Sequence, residues 1–332
     1  MRVCVLTDEE PRDFDPGPFL AGYQWEMVTM TAPVFERITS VAGRHEFDVF
    51  LNICEGWEPD PANALAYEGI EVIRALEGLN LPYTGADEAF FDPSREDMQA
   101  VADAIGIGFA RGYQVKTVRQ AEELVEHLRF PVMVKHPRGY GSTGVYRDSR
   151  VDTLDQVRVC VERACEEFGA ARVEEFIVGR EFSVLVVETP DDRSSPFAYP
   201  PAELIFPPGE EFWHADIKWD DDVPFAFRRV ADSQLAARLQ QTAKALFVAR
   251  HGVGYGRCDI RMNDQGELFV LEINANPGIM YRPEERGPAD HMILYDPDGY
   301  RGFFDRIFRA AVVRREARAA KKGGATQGPA LV

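Results

Sequence analysis

The sequence is short of positive charge. Its 37 Lys and Arg stand against 55 Asp and Glu, a net charge of −18. A surface of that sign repels phosphate backbones, so nucleic-acid binding is set aside. No apolar run is long enough to span a bilayer, which sets aside a membrane partner. The first residues, MRVCVLTDEEPRDF, lack the basic and apolar regions of a secretory leader. Cysteine is scarce too. Cys4, Cys54, Cys160, Cys165 and Cys258 are odd in number and form no CxxC pair. They read as free thiols, and the expected location is cytoplasmic. No repeat of solenoid period is present. What the chain does have is ordinary globular composition, with 45% hydrophobic residues in 332. That is enough for several subdomains and a sizeable core.

Apolar runs and helical stripes alternate along the chain. Val3–Leu6 and Asp48–Asn52 suit parallel strands buried on both faces. Asn63–Leu76 is weakly helical, and Leu81-Pro82-Tyr83-Thr84-Gly85 interrupts the pattern like a subdomain exit. Ser94 suits an N-cap for a helix with Met98, Val101 and Ile105 on one stripe. Ala121, Leu124, Val125 and Leu128 make a second stripe, and Leu154, Val157, Val161, Cys165 and Phe168 a third. Val132–Lys135, Val173–Val178 and Glu181–Glu188 read as strands. A last helix carries Leu235, Leu239 and Leu246, and Leu268–Gly278 is a strand entering a turn. From Arg314 to Lys322 there are five basic residues and one acid, followed by GGATQGPALV. That end reads as fraying helix and flexible tail. The expected fold class is α/β. The expected units are 1–90, an N-terminal βα sheet; 91–178, a central α+β unit; 179–315, a C-terminal α+β unit; and 316–332, the tail.

Three stretches carry chemistry. In Lys135-His136-Pro137-Arg138-Gly139-Tyr140-Gly141-Ser142-Thr143-Gly144, a lysine ends a strand beside three glycines and two hydroxyls. Such a loop can turn backbone N–H groups toward a polyphosphate. A flexible hairpin with an ordinary surface lysine is the plainer alternative. In Val173-Glu174-Glu175-Phe176-Ile177-Val178-Gly179-Arg180-Glu181, carboxylates flank a short linker. That arrangement suits contacts to a base and a ribose, although acids at strand ends are commonly just solvated. The third stretch pairs Gly256-Arg257-Cys258-Asp259 with Leu271-Glu272-Ile273-Asn274-Ala275-Asn276-Pro277-Gly278. Strand alternation puts Arg257 with Asp259, and Glu272 with Asn274. If the strands are neighbours, Asp259, Glu272 and Asn274 converge as oxygen ligands suited to Mg²⁺. A buried salt-bridge network is the alternative, costly without a charged ligand.

Taken in order, these motifs, with the Pro82-Tyr83-Thr84-Gly85 exit, resemble the ATP-grasp superfamily and its D-alanine–D-alanine ligase-like branch. The resemblance runs from Asp48 to Gly278. It implies an N-terminal pre-ATP-grasp sheet and two α+β subdomains clasping ATP. It also implies two Mg²⁺ ions, with Mn²⁺ as a substitute, held by Asp259, Glu272 and Asn274. Lys135 is then a phosphate ligand, and Ser142 and Thr143 belong to the closing loop. Glu174 meets the adenine amino group, Glu175 and Ile177 offer backbone contacts, and Glu181 holds the ribose. Arg95 stands where the family has a phosphate-contacting lysine. Lys218 resembles the lysine of the flexible loop. Arg257 stabilises the transferring phosphoryl group, and the Gly278 N–H serves as an oxyanion donor. The implied activity is ATP-dependent joining of a small carboxylate and an amine through an acylphosphate, with no nucleic-acid partner, and relatives of this kind are often homodimers. Two alternatives stay open: an ATP-grasp phosphotransferase, and an ATP-binding protein without catalysis.

The acceptor side departs from the D-alanine–D-alanine pattern. The first loop, Thr7-Asp8-Glu9-Glu10-Pro11-Arg12-Asp13, is acidic and has no Gly-Gly. Glu55-Gly56 replaces a histidine-glycine pair, and Trp219 replaces a tyrosine. Asp8, Glu9 and Glu55 are expected to line a pocket for a cationic group, the alternative being that they face solvent. Tyr281 and Arg282 are candidates for a second substrate's carboxylate.

Overall fold

The computed structural model describes residues 1–56, 65–138, 142–218 and 226–324, with the backbone alone for 218 and 322–324. In the N-terminal unit β1 (Arg2–Thr7) lies between β2 (Gln24–Thr29) and β3 (Val49–Asn52), all parallel. Helices α1 (Val34–Ala42) and α2 (Gly69–Gly78) cover one face, where Cys4, Leu6 and Phe50 meet Ile38, Val72 and Leu76. Val3, Val5 and Leu51 fill the other face. Strands β1 and β3 are buried on both sides, which is why they read as apolar runs. Strand β2 is one edge of the sheet, with Gln24 and Trp25 exposed, and its pattern is weaker for that exposure. Helix α2 starts at Gly69, later than the expected Asn63; residues 57–64 lie outside the described residues.

In the central unit, α3 (Arg95–Ile105) starts at Ser94, whose hydroxyl accepts from the Asp97 N–H. Then come β4 (Gly112–Val115), α4 (Val118–Val125), β5 (Val132–Lys135), β6 (Arg150–Val151), α5 (Leu154–Phe168) and β7 (Ala171–Glu175). The four strands form an antiparallel sheet in the order β4-β7-β5-β6, with α4 and α5 on one face. The expected strand 173–178 stops at Glu175. Beyond it, Phe176 N–H bonds the Pro131 carbonyl, and Gly179 sits at φ +139° against the Met262 carbonyl. A side chain there would meet backbone, so the segment is a tight connector. Helix α3 also departs from the expected division. Its Met98 and Ala102 pack with Phe182, Val184 and Leu239 of the C-terminal unit.

The C-terminal unit contains β8 (Arg180–Val187), β9 (Phe197–Ala198), β10 (Ala202–Ile205), α6 (Ala215–Lys218), β11 (Ala226–Arg229), α7 (Ser233–Ala249), β12 (Tyr255–Met262) and β13 (Leu268–Ala275). They are followed by α8 (Pro288–Tyr295) and α9 (Gly299–Gly324). The sheet order is β11-β10-β8-β12-β13, with β9 beside β8. Helix α7 covers one face through Leu235, Leu239 and Leu246. On the other side, Phe303, Phe304, Ile307 and Phe308 of α9 are buried between Val3, Val5 and Leu51 and the residues Leu185, Tyr199 and Tyr255. The N-terminal and C-terminal sheets thus share one core. Helix α9 continues through the start of the expected tail at 316. Arg318 donates to the Leu81 carbonyl at 2.7 Å and lies over the Tyr83 ring. A forked donor on that carbonyl anchors the stretch.

The five cysteines are free, and all except Cys165 are buried. Among the described residues no helix is long and apolar enough to cross a membrane.

Candidate active site

Strands β12 and β13 are antiparallel neighbours, with Arg257 opposite Asn274 and Asp259 opposite Glu272. Alternation puts all four side chains on one face. Strand β8 adds Ser183 opposite Asp259. The Ser183 hydroxyl donates to Asp259 Oδ1 at 2.7 Å. Arg257 grips the same carboxylate, Nε to Oδ1 at 2.9 Å and Nη2 to Oδ2 at 2.8 Å. The Asn274 amide bridges Asp259 Oδ2 at 3.0 Å and Glu272 Oε1 at 3.2 Å. Arg95, the first residue of α3, reaches Glu272 Oε2 at 2.5 Å and the Pro137 carbonyl at 3.1 Å. It thereby joins the lysine loop to the carboxylate cluster. Burial raises the Glu272 carboxyl, but Arg95 and Lys135 outweigh it and hold it down at about 2. The Glu272 carboxylate is therefore ionised at neutral pH.

The opposing wall comes from β5 and β7. Lys135 is paired with Arg172 in register, and Met133 with Glu174. Glu174 is 3% exposed. Lys135 Nζ sits on its Oε1, and Arg172 Nε on its Oε2 at 2.6 Å. Arg172 also bonds Glu96 at 2.8 Å. The Glu174 carboxylate is thus engaged by two cations instead of open toward an amino group as expected. Glu175 points the other way, by alternation, and pairs with Arg129 at 3.1 Å. Its side chain lines an open depression of about 390 Å³ with Arg111, His127 and Phe269, away from the carboxylate cluster. Ile177 is buried, and Met133, Phe176 and Phe212 form a small apolar cluster beside the cleft. Glu181 faces Arg261 at 3.5 Å, and burial pushes its carboxyl up to about 7.

The loops over the cleft are partly described. Ser142 has φ +68° and its carbonyl accepts from Val145 N–H at 3.0 Å; Thr143 is exposed. Ala215 N–H donates to the Val145 carbonyl at 2.9 Å, so α6 is fastened to the lysine loop. Lys218 ends α6, and its side chain lies outside the described residues, as do Gly139–Gly141 and Trp219.

On the acceptor side, Asp8 is not a pocket lining. Its carboxylate accepts from the backbone of Glu55 at 2.7 Å and Gly56 at 3.1 Å, and from the Tyr67 hydroxyl. A carboxylate with three donors at a loop is a structural clamp. Arg282 donates to the Asp13 carbonyl at 3.0 Å, which ties the segment after β13 to the first loop. Its guanidinium is thus directed to that loop. Tyr281 lies over Gly278, where an added Cβ would meet the phenol oxygen at 2.2 Å. Burial, and then the charges of Glu55, Asp290 and Glu9 against that of Arg257, push the phenol up to about 12. Glu9, Glu55 and Arg257 are thus near enough to Tyr281 for their charges to act on its phenol.

The sequence of the cluster has a counterpart among known proteins. A family model described as D-ala D-ala ligase C-terminus matches residues 107–281. The chain belongs to that family. The D-alanine–D-alanine ligase of Lactococcus lactis subsp. cremoris (strain MG1363) is 28% identical over 213 residues, 61% of this chain and 58% of that protein. The ligase of Arthrobacter sp. (strain FB24) is 32% identical over 197 residues, covering 58% of this chain and 49% of that one. The chain thus spans between about half and three fifths of the length of these curated relatives. The crystal structure of the Bacillus anthracis D-alanine–D-alanine ligase complexed with ATP superimposes with a TM-score of 0.69 at 19% identity. That match covers 96% of this chain and 99% of that one, and the shared fold is the ATP-grasp fold.

The matched segment contains both walls of the cleft, from Gly112 to Tyr281. Among the described residues no three His, Cys, Asp or Glu side chains converge. The donor set that β12 and β13 present is two carboxylates, Asp259 and Glu272, and the Asn274 amide. Turning the Asn274 amide over presents its oxygen beside both carboxylates. Three hard oxygen donors in mutual contact fit Mg²⁺. Two contributors escape sequence reading. Ser183 carries a weak signal, its alternation with Glu181. Arg172 carries none, because its role depends on β5 and β7 being neighbours.

Proposed function

We propose that this chain is an ATP-dependent carboxylate–amine ligase. The observation that carries this reading is the convergence of Asp259, Glu272 and Asn274 with Arg257 and Arg95, across from half-buried Lys135. That set suits a polyanion that must be approached by another anion. A substrate carboxylate oxygen attacks the γ-phosphorus of ATP and ADP leaves. The amine nitrogen then attacks the acyl carbon, loses a proton, and expels phosphate. In the first step both partners are negative, so cationic side chains must offset their repulsion. Arg95, which is buried, and Lys135 and Arg257, which are half-buried, are the cations at the cluster, and Lys218 at the end of α6 is assigned to the terminal phosphates. Asp259, Glu272 and Asn274 would hold Mg²⁺, which neutralises phosphate charge when bound. Gly278 N–H, in the turn after β13, is assigned to the developing oxyanion. Arg172 keeps Glu174 and Lys135 in place, and Glu181 is assigned to the ribose.

The acceptor region is proposed to take an amine-bearing substrate, with Glu9 and Glu55 as its acidic wall and Tyr281 beside it. The substrates are thus a small carboxylic acid and an amine. The test is phosphate release from Mg-ATP with pooled amino acids and amines, with products read by mass spectrometry. A product of mass acid plus amine minus water is expected. A stable phosphorylated acid that no amine consumes would refute the ligase reading.

A further inference from the structure

We infer that Asn276 and Arg314 are positioning residues that lock the turn after Asn274 to the N-terminal unit. The inference rests on the reading that Asp259, Glu272 and Asn274 hold the metal. Asn276 follows Asn274 by two residues and has φ +48°. A non-glycine residue in that region is strained unless its surroundings hold it. The Asn276 backbone N–H donates to the Tyr255 carbonyl at 3.3 Å, and its side chain is held by one bond, Oδ1 accepting from the Ala86 N–H at 2.8 Å. Its Nδ2 is buried without a partner among the described residues. An amide half-satisfied in this way is costly, so the Oδ1 bond carries the side chain's placement.

The segment that Asn276 grips is itself clamped. Gly85 has φ +89°, and a Cβ there would meet Asn276 Oδ1 at 2.5 Å. A Cβ on Gly254 would come within 2.3 Å of the Gly85 backbone. The exit segment and the approach to β12 therefore pack backbone on backbone, and the Asn276 side chain closes against Gly85. Arg314 of α9 binds all of this from behind. Its Nη1 donates to the Gly85 carbonyl at 2.9 Å and its Nη2 to the Tyr83 carbonyl. It pairs with Glu188 Oε1 at 2.9 Å, which accepts from Gly254 N–H at 2.9 Å. The Arg314 side chain is 12% exposed and lies over the Tyr83 ring. One path thus runs from α9 through Gly85 and Ala86 to Asn276 and the metal-donor turn. Residues far from any phosphate then govern how well the donors are placed.

The test is a double-mutant cycle on the full chain, read as Mn²⁺ affinity by electron paramagnetic resonance with a non-hydrolysable ATP analogue present. N276G is the first variant, because glycine takes the positive φ freely and only the acceptor is lost. R314Q is the second; if it does not fold, R314K replaces it, since lysine cannot hold two carbonyls and a carboxylate together. D259N is the control. We expect N276G to weaken Mn²⁺ binding about tenfold and R314Q about threefold, as loss of one buried hydrogen bond and of an indirect clamp would do. The double variant should bind no more weakly than N276G alone, because both act through one contact. Losses that multiply, or N276G binding Mn²⁺ like the wild type while D259N does not, would overturn the inference. D259N binding like the wild type would overturn the metal assignment itself, and this inference with it. A merely structural role would lower the melting temperature and leave Mn²⁺ affinity unmoved.

Discussion

Consider replacing Glu174 by Gln. If its carboxylate were mainly a ligand for a base, the unliganded protein would scarcely notice. The structure says otherwise. Glu174 is buried, with Lys135 on one oxygen and Arg172 on the other. Breaking a buried pair from one side costs about 3–5 kcal/mol, because the partner charge is left unpaired. Arg172 keeps Glu96, and Glu272 lies near Lys135, so the lower end applies. About 3 kcal/mol corresponds to a melting shift of roughly 6–10 °C at the size dependence known for large domains. The assay is thermal unfolding by circular dichroism at pH 7.5 without nucleotide. The pH dependence supplies a second check. Burial raises the Glu174 carboxyl, but Lys135, Arg172 and Arg95 bring it below its ordinary 4.5. A depressed carboxyl adds stability above the unfolded value and loses it as pH falls through the folded one. The gap between wild type and E174Q should therefore narrow as the pH falls below 4.5. An unliganded melting temperature within about 1 °C of wild type, with nucleotide affinity alone reduced, would refute this reasoning.

Other outcomes follow from the same geometry. D259N and E272Q should keep the fold and lose ATP turnover by at least about a hundredfold, measured as phosphate release; full turnover in either would sink the metal assignment. G278A should disturb the Tyr281 ring, since the new Cβ would meet its phenol oxygen at 2.2 Å; ligase turnover falls while the affinity for a fluorescent ATP analogue holds, and unchanged turnover contradicts the placement. Glu181 ionises near 7 in the fold against 4.5 ordinarily, so ionising it costs stability as pH rises between those values. E181Q should therefore gain in melting temperature relative to wild type from pH 5 to pH 8, and a constant difference over that range counts against the assignment.

The sequence alone determined the units that announce themselves locally. Val132–Lys135 is a strand as read, and the stripe from Leu154 to Phe168 is a helix as read. Ser94 caps α3 because a hydroxyl before a helical stripe accepts from an early N–H wherever it stands. Alternation put Arg257 with Asp259 and Glu272 with Asn274, and the family pattern of those residues was visible without coordinates. Strands β2, β4, β6 and β9 to β11 were not legible. Strand β2, with its exposed Gln24 and Trp25, has no buried face to print a period on the chain. Tertiary structure alone decided which charges meet. That Asp259 faces Glu272, that Arg172 and Lys135 share Glu174, and that Asp8 clamps the Glu55 loop all depend on residues distant in sequence. Local pattern encodes which face a side chain takes, because alternation and helical pitch are properties of a few consecutive residues. Which partner waits on that face is set by strand order and register. Those follow from burying apolar surface over the whole chain, and no short window contains that information.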